Sequence, residues 1–135
     1  MAQANLTREG ENISTDLDSI VIVKLFETIP GGRTLDVTGF TPEVIAAGHL
    51  IVEETATKEL KPLSVTGTGD ALTYGVLPSG HTYKGVLVAS VLTSKPMASI
   101  MVRGTVNNEA LRLAKGLDAP SAAKTALNLI RFTQD

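Results

Sequence analysis

The run Ile20-Val21-Ile22-Val23-Lys24-Leu25-Phe26 sets four β-branched side chains in succession and closes on two more apolar residues, with Lys24 as its one charge. β-branched side chains lose rotamer freedom in a helix and pack well on a pleated surface. A continuous apolar run of this length predicts a strand covered on both faces, the first core strand of the domain. Pro30-Gly31-Gly32 then breaks the chain, because proline fixes φ and removes a donor while the glycines permit left-handed turns. Arg33-Thr34-Leu35-Asp36-Val37 follows as a short alternating strand with Leu35 and Val37 on one face.

What packs behind these strands is limited by composition. Aromatic residues make up 4% of the 135 residues and tryptophan is absent, so the core is expected to consist of Val, Ile, Leu and Ala. A chain this short builds one core, since two would each bury too little surface. The boundary falls near residue 18. Residues 1–18 carry Glu9, Glu11, Asp16 and Asp18 against only Leu6, Ile13 and Leu17 as sizeable apolar groups. Such a segment cannot stabilise itself by burial. It reads as an extended N-terminal arm, either a frayed terminus or a segment that orders against a partner, preceding a β-rich domain over 19–135.

The formal charge of -2 gives no cationic footprint for phosphates, so no nucleic-acid partner is expected. The absence of cysteine removes disulfides, thiolate nucleophiles and thiol-ligated zinc. The polar N-terminus lacks the apolar stretch of a secretory signal, and no run approaches the roughly 18 apolar residues of a membrane span. The expectation is a product made in a cytoplasm, with no membrane partner.

Further along, His49 to Glu54 is an extended block entered through the turn Ala46-Ala47-Gly48. Thr55 to Glu59 has the composition of a hairpin loop, and Leu60 to Leu63 is the return strand, at an edge because Pro62 cannot donate to a second neighbour. Thr66 to Asp70 reads as a loop. Ala71 to Leu77 and Tyr83 to Leu92 read as strands around the turn Pro78-Ser79-Gly80. Ala98 to Val106 alternates, with Ala98, Ile100, Val102 and Val106 on one face and Ser99, Met101, Arg103 and Thr105 on the open one. Helical signals come last. Asn107 or Asn108 caps a segment through Lys115 that Gly116 stops, and Ala119-Pro120 opens a second helix with Ala123, Leu127 and Ile130 as its apolar stripe. Strands first and helices last predict an α+β, mainly β fold.

Little in the chain carries chemistry. His49 and His81 both follow a glycine at a turn and read as exposed turn histidines, with no Gly-x-Ser-x-Gly elbow to support a triad. His49 with Glu53 or Glu54 supplies at most two metal ligands, and only one of those carboxylates shares its face. Gly67-Thr68-Gly69-Asp70 lacks the Gly-Lys-Ser/Thr ending of a phosphate loop and reads as a hairpin turn. Gly31-Gly32-Arg33 reads as a turn followed by a surface arginine. Arg103 fits an inter-subunit or an intrachain ion pair equally, and Gly104 beside it fits a close backbone approach or a bulge. No catalytic residue, metal or cofactor is expected.

Four ordered blocks carry a resemblance: Pro30-Gly31-Gly32-Arg33-Thr34-Leu35-Asp36-Val37-Thr38-Gly39-Phe40, Ile45-Ala46-Ala47-Gly48-His49-Leu50-Ile51-Val52, Leu77-Pro78-Ser79-Gly80-His81-Thr82-Tyr83-Lys84-Gly85-Val86-Leu87 and Val102-Arg103-Gly104-Thr105-Val106-Asn107. Together they resemble the phage head-fibre family and the wider set of small capsid-decoration proteins of tailed bacteriophages. The resemblance implies a non-enzymatic virion protein on the outer surface of the capsid, commonly a homotrimer, with the major capsid protein as partner, synthesised in a bacterial host cytoplasm. A chain ending at Asp135 fits a compact auxiliary capsid protein or fibre base better than a full fibre. On this reading Asn5, Leu6, Arg8 and Ile13 of the arm are the expected capsid contacts, and Arg33, Met101 and Arg103 the expected subunit interface. The competing expectation is an oligomeric carbohydrate- or receptor-binding β module without catalysis, for which Tyr74 and Tyr83 are the candidate stacking residues.

Overall fold

The computed structural model describes residues 15–134. A single helical turn, α1 (Asp18–Val21), leads into β1 (Ile22–Thr28), and β2 (Arg33–Thr34) and β3 (Val44–Ile45) follow as short ribbons. The hairpin β4 (Leu50–Glu54) and β5 (Leu60–Pro62) forms as expected, with Thr55 to Glu59 as its loop. β6 (Val65–Thr68) and β7 (Ala71–Tyr74) make a second hairpin; its turn is only Gly69-Asp70, because β6 runs through Thr68. Then come β8 (His81–Leu87), β9 (Val91–Leu92), β10 (Met97–Ala98) and β11 (Ile100–Asn107). The helices α2 (Asn108–Lys115) and α3 (Ser121–Ala126) precede a final strand, β12 (Ile130–Thr133). The architecture is α+β and mainly β.

One six-stranded sheet organises the domain, in the order β1-β11-β8-β4-β5, with β12 added parallel to β11 and every other pairing antiparallel. Pro62 lies on β5 at one edge of this sheet, where its missing donor costs no ladder bond. Successive residues of the central strands point to opposite faces and enter different cores. Leu50, Val52, Val86 and Met101 join a cluster with Leu63, Leu111, Leu117, Ala123, Leu127 and Ile130, under the two helices. Ile51, Leu87 and Ile100 join Leu35, Ile45, Leu60 and Ala98 on the other side. The open face expected for Met101 is therefore covered, and its side chain is fully buried.

The opening run does not become a core strand. Ile20 and Val21 lie in α1, and Val21 is the buried member of the run. Among the described residues β1 pairs with β11 alone and forms the other edge of the sheet; Val23, Leu25 and Phe26 are 54%, 45% and 60% exposed. A continuous apolar run records affinity for a covered environment without saying that the same chain supplies the cover. Asp18, placed in the arm by composition, belongs to the folded body: its carboxylate accepts from the Ser90 amide at 2.8 Å and the Ser90 hydroxyl at 2.6 Å.

At the C-terminal end α2 forms as expected. The Asn107 side chain accepts from the Ala110 amide at 3.0 Å, and Gly116 closes the helix at φ 78°. α3 ends at Ala126, earlier than its apolar stripe predicts. Ala123, Leu127 and Ile130 are all buried in one cluster, but Ile130 gets there as the first residue of β12, opposite Gly104.

At Gly104 the strand β11 is paired on both sides, with β1 and with β12. The glycine pairs with Leu25 on one side and Ile130 on the other, and a Cβ there would collide with the backbone carbonyl of Lys24 and the sulfur of Met101. Carbonyl and buried thioether cannot both retreat. The variant Gly104→Ala is expected to lose about 1–3 kcal/mol through overpacking; an unchanged urea-denaturation midpoint would contradict this close approach.

Candidate functional site

Of the expected interface residues, Arg33 and Arg103 lie on the surface and Met101 does not. Met101 reaches the core because β11 is covered on both faces at its start, which rules its side chain out of a contact with a second subunit in this fold. Arg103 stands across from Glu27 in the β1–β11 register, with its guanidinium 5.6 Å from the centre of the Phe26 ring. Lys24 approaches the same ring at 5.8 Å. Arg33 lines a shallow depression with Glu27, Glu53, Lys58 and Lys84, so both arginines border Glu27. Asn5, Leu6, Arg8 and Ile13 lie outside the described residues.

The second site is a cleft of about 510 Å³ that the sequence reading passed over. One wall is the segment from Phe40 to Val44 and the other is the hairpin tip Gly67-Thr68-Gly69-Asp70; Lys115 stands at the rim and His49, Leu72 and Leu117 lie deeper. The tip that looked like a bare turn thus serves as a wall.

His49 is the surprise in this cleft. Its relative exposure is 2%, where an exposed turn histidine was expected. The turn itself forms, with the His49 amide donating to the Ala46 carbonyl at 3.1 Å and Gly48 at φ 86°. That left-handed glycine turns the chain so that His49 enters the sheet side rather than solvent. Phe40 and Tyr74 meet the imidazole edge to face, with centroids 5.4 and 5.2 Å away. Nε2 lies 2.8 Å from the Leu63 carbonyl. A carbonyl only accepts, so Nε2 carries the proton and Nδ1 is left as an acceptor. Burial pulls the pKa from 6.5 down to about 4, opposed in part by the bond to Leu63. At neutral pH the ring is uncharged.

Tyr74 is not a stacking residue for a ligand. Its ring flanks His49, its hydroxyl accepts from the Leu50 amide at 3.1 Å, and burial pushes its phenol pKa up. Tyr83 is half-buried on β8. Phe40 is the aromatic at the cleft, and a single phenylalanine in a loop gave no periodic signal to find it by. His81, expected as an exposed turn histidine, is the half-buried first residue of β8 just after the turn, its Nδ1 3.0 Å from the Ser79 carbonyl. Among the described residues no group of three His, Asp or Glu side chains is placed to hold a metal ion.

No family model matches the chain, and neither a curated protein nor a solved structure matches it.

The buried imidazole makes stability depend on pH. Its folded pKa of about 4 lies below the ordinary 6.5, so the unfolded chain binds the extra proton between those values. Stability is then complete above pH 6.5 and falls as the pH drops toward 4, by about 3 kcal/mol in all from this one group. Asp36, held low chiefly by the Thr38 hydroxyl, and Glu54, held low chiefly by the Thr57 hydroxyl, contribute losses of the same sign as the pH falls. Urea denaturation at pH 7 and pH 5 is expected to show most of the loss, and His49→Gln should remove that difference while lowering stability at pH 7.

Proposed function

We propose that this chain is a structural protein of a tailed-phage head, an auxiliary capsid-decoration protein or the capsid-binding base of a head fibre, acting without catalysis. The observation that carries this reading is the β1 edge, an apolar surface strand beside two arginines. Leu17, Ile20, Val23, Leu25 and Phe26 are large apolar residues exposed within ten positions, and Arg103 lies over Phe26. Contiguous exposed apolar surface marks protein interaction sites, and aromatic and arginine side chains are the groups that anchor them. The four sequence blocks behind the resemblance also assemble locally: three of them contribute β4, β8 and β11, adjacent strands of one sheet, and the first contributes β2.

In this reading Arg33 and Arg103, with the β1 side chains, form the subunit interface of a homotrimer. Residues 1–14, including Asn5, Leu6, Arg8 and Ile13, contact the major capsid protein on the outer surface of the virion. Oligomerisation multiplies many modest contacts through effective concentration. A ligand that binds the assembled shell but not its open form stabilises the closed state by linkage.

Mass spectrometry of purified virions tests the role: a copy number set by shell symmetry supports it, and absence from virions overturns it. Removing residues 1–14 is expected to reduce cosedimentation with capsids at least tenfold while leaving the folded domain intact. Phe26→Glu together with Arg103→Ala is expected to shift the protein to monomer in sedimentation analysis; a double variant that stayed fully oligomeric would remove β1 from the interface.

A further inference from the structure

The geometry points to a saccharide-binding subsite in the cleft between Phe40–Val44 and the β6–β7 hairpin tip, taking a single neutral pyranose unit. This site lies apart from the β1 edge and does not rest on the capsid reading. Its volume of about 510 Å³ falls in the roughly 300–1,000 Å³ range of small-molecule sites.

The polar groups define the ligand. Nδ1 of His49 makes no hydrogen bond within the described residues, whereas Nε2 is committed to Leu63. Among those residues no fully buried side-chain nitrogen or oxygen lacks a partner, so Nδ1 is not completely enclosed, and the cleft is the space that the ring lines. The Glu43 carboxylate is exposed at the wall, with no hydrogen bond or ion pair to its side chain among the described residues. Asp70 accepts from Lys115 at 2.9 Å, which neutralises the cation of the cleft while leaving carboxylate lone pairs unused. The cleft therefore offers Nδ1 of His49 and the Glu43 and Asp70 carboxylates as acceptors, beside the Thr41 and Thr68 hydroxyls, which donate or accept.

An anionic ligand is disfavoured, since two carboxylates would face it and the lysine is already paired. A purely apolar ligand would cover Nδ1 without bonding it, leaving a desolvated acceptor. A ligand carrying several hydroxyl donors on a ring with an apolar C–H face meets both demands. Its hydroxyls donate to Nδ1, Glu43 and Asp70, and its C–H face lies on Phe40, Ala46 and Leu72.

The test is an amide and imidazole NMR titration of the full ¹⁵N-labelled chain at pH 7 with methyl glycosides of glucose, galactose, mannose, N-acetylglucosamine and rhamnose. Saturable shifts confined to residues 40–44, 67–70 and the His49 ring are expected for at least one sugar. Glu43→Gln, an exposed change whose amide spectrum reports that the fold is kept, should weaken that binding about tenfold, equivalent to about 1.4 kcal/mol. Phe40→Leu should weaken it by a similar factor. The inference is overturned if no glycoside gives saturable shifts, if the shifts map elsewhere, if both variants bind as before, or if benzylamine binds the cleft where every sugar fails.

Discussion

Neighbouring residues on three central strands point into two separate cores, and the rest of the domain is arranged around that division. Leu50 and Val52 oppose Ile51, Val86 opposes Leu87, and Met101 opposes Ile100, with each of these side chains buried. Full burial of one such side chain contributes roughly 1.5–3 kcal/mol. An aromatic-poor chain has few large rings with which to fill a thick single core, so covering both faces of one sheet is how small aliphatic residues are brought to close packing. The helices α2 and α3 cover one face, and the ribbons formed by β2 with β10 and β3 with β9 flank the other cluster. Leaving either cover incomplete would expose alternate residues of the strands beneath it.

Where local chemistry decides an element, the sequence reading and the structure agree. α2 is bounded by an asparagine side chain at one end and a left-handed glycine at the other, and the β4–β5 hairpin is specified by its loop and by Pro62. Elements decided by distant partners were not readable. Ile130 sits at helical spacing from Ala123 and Leu127, but parallel pairing with Gly104 draws it into β12, and nothing near residue 130 announces a strand 26 positions upstream. The Ala98 to Val106 alternation implied one open face, while the cover over Met101 comes from segments remote in sequence.

The cleft shows the same limit. A histidine after a glycine is ordinarily a turn residue on the surface, and the turn is present. What buries His49 is the conjunction of Phe40 from one segment, Tyr74 from another and the Leu63 carbonyl from a third. They lie on both sides of His49 and on three separate segments, so no short window around residue 49 contains the cause. The composition of the hairpin tip was legible as a turn; its role as a wall depends on where Lys115 and Leu117 place the end of α2.

The β1 edge combines two properties that ordinarily conflict. An exposed apolar edge strand is a template for indiscriminate strand pairing. β1 carries register shifts between Ile22 and Lys24, between Leu25 and Glu27, and between Glu27 and Thr28, and such irregularities twist an edge and interrupt the even row of donors and acceptors that a new strand needs. Lys24 and Arg103 flank Phe26, placing charge beside its apolar surface. Backbone pairing is thus discouraged while the side chains stay available. A partner that uses this edge must recognise the shape formed by Val23, Leu25, Phe26 and Arg103, and a shape-specific contact is what an assembly with defined symmetry requires.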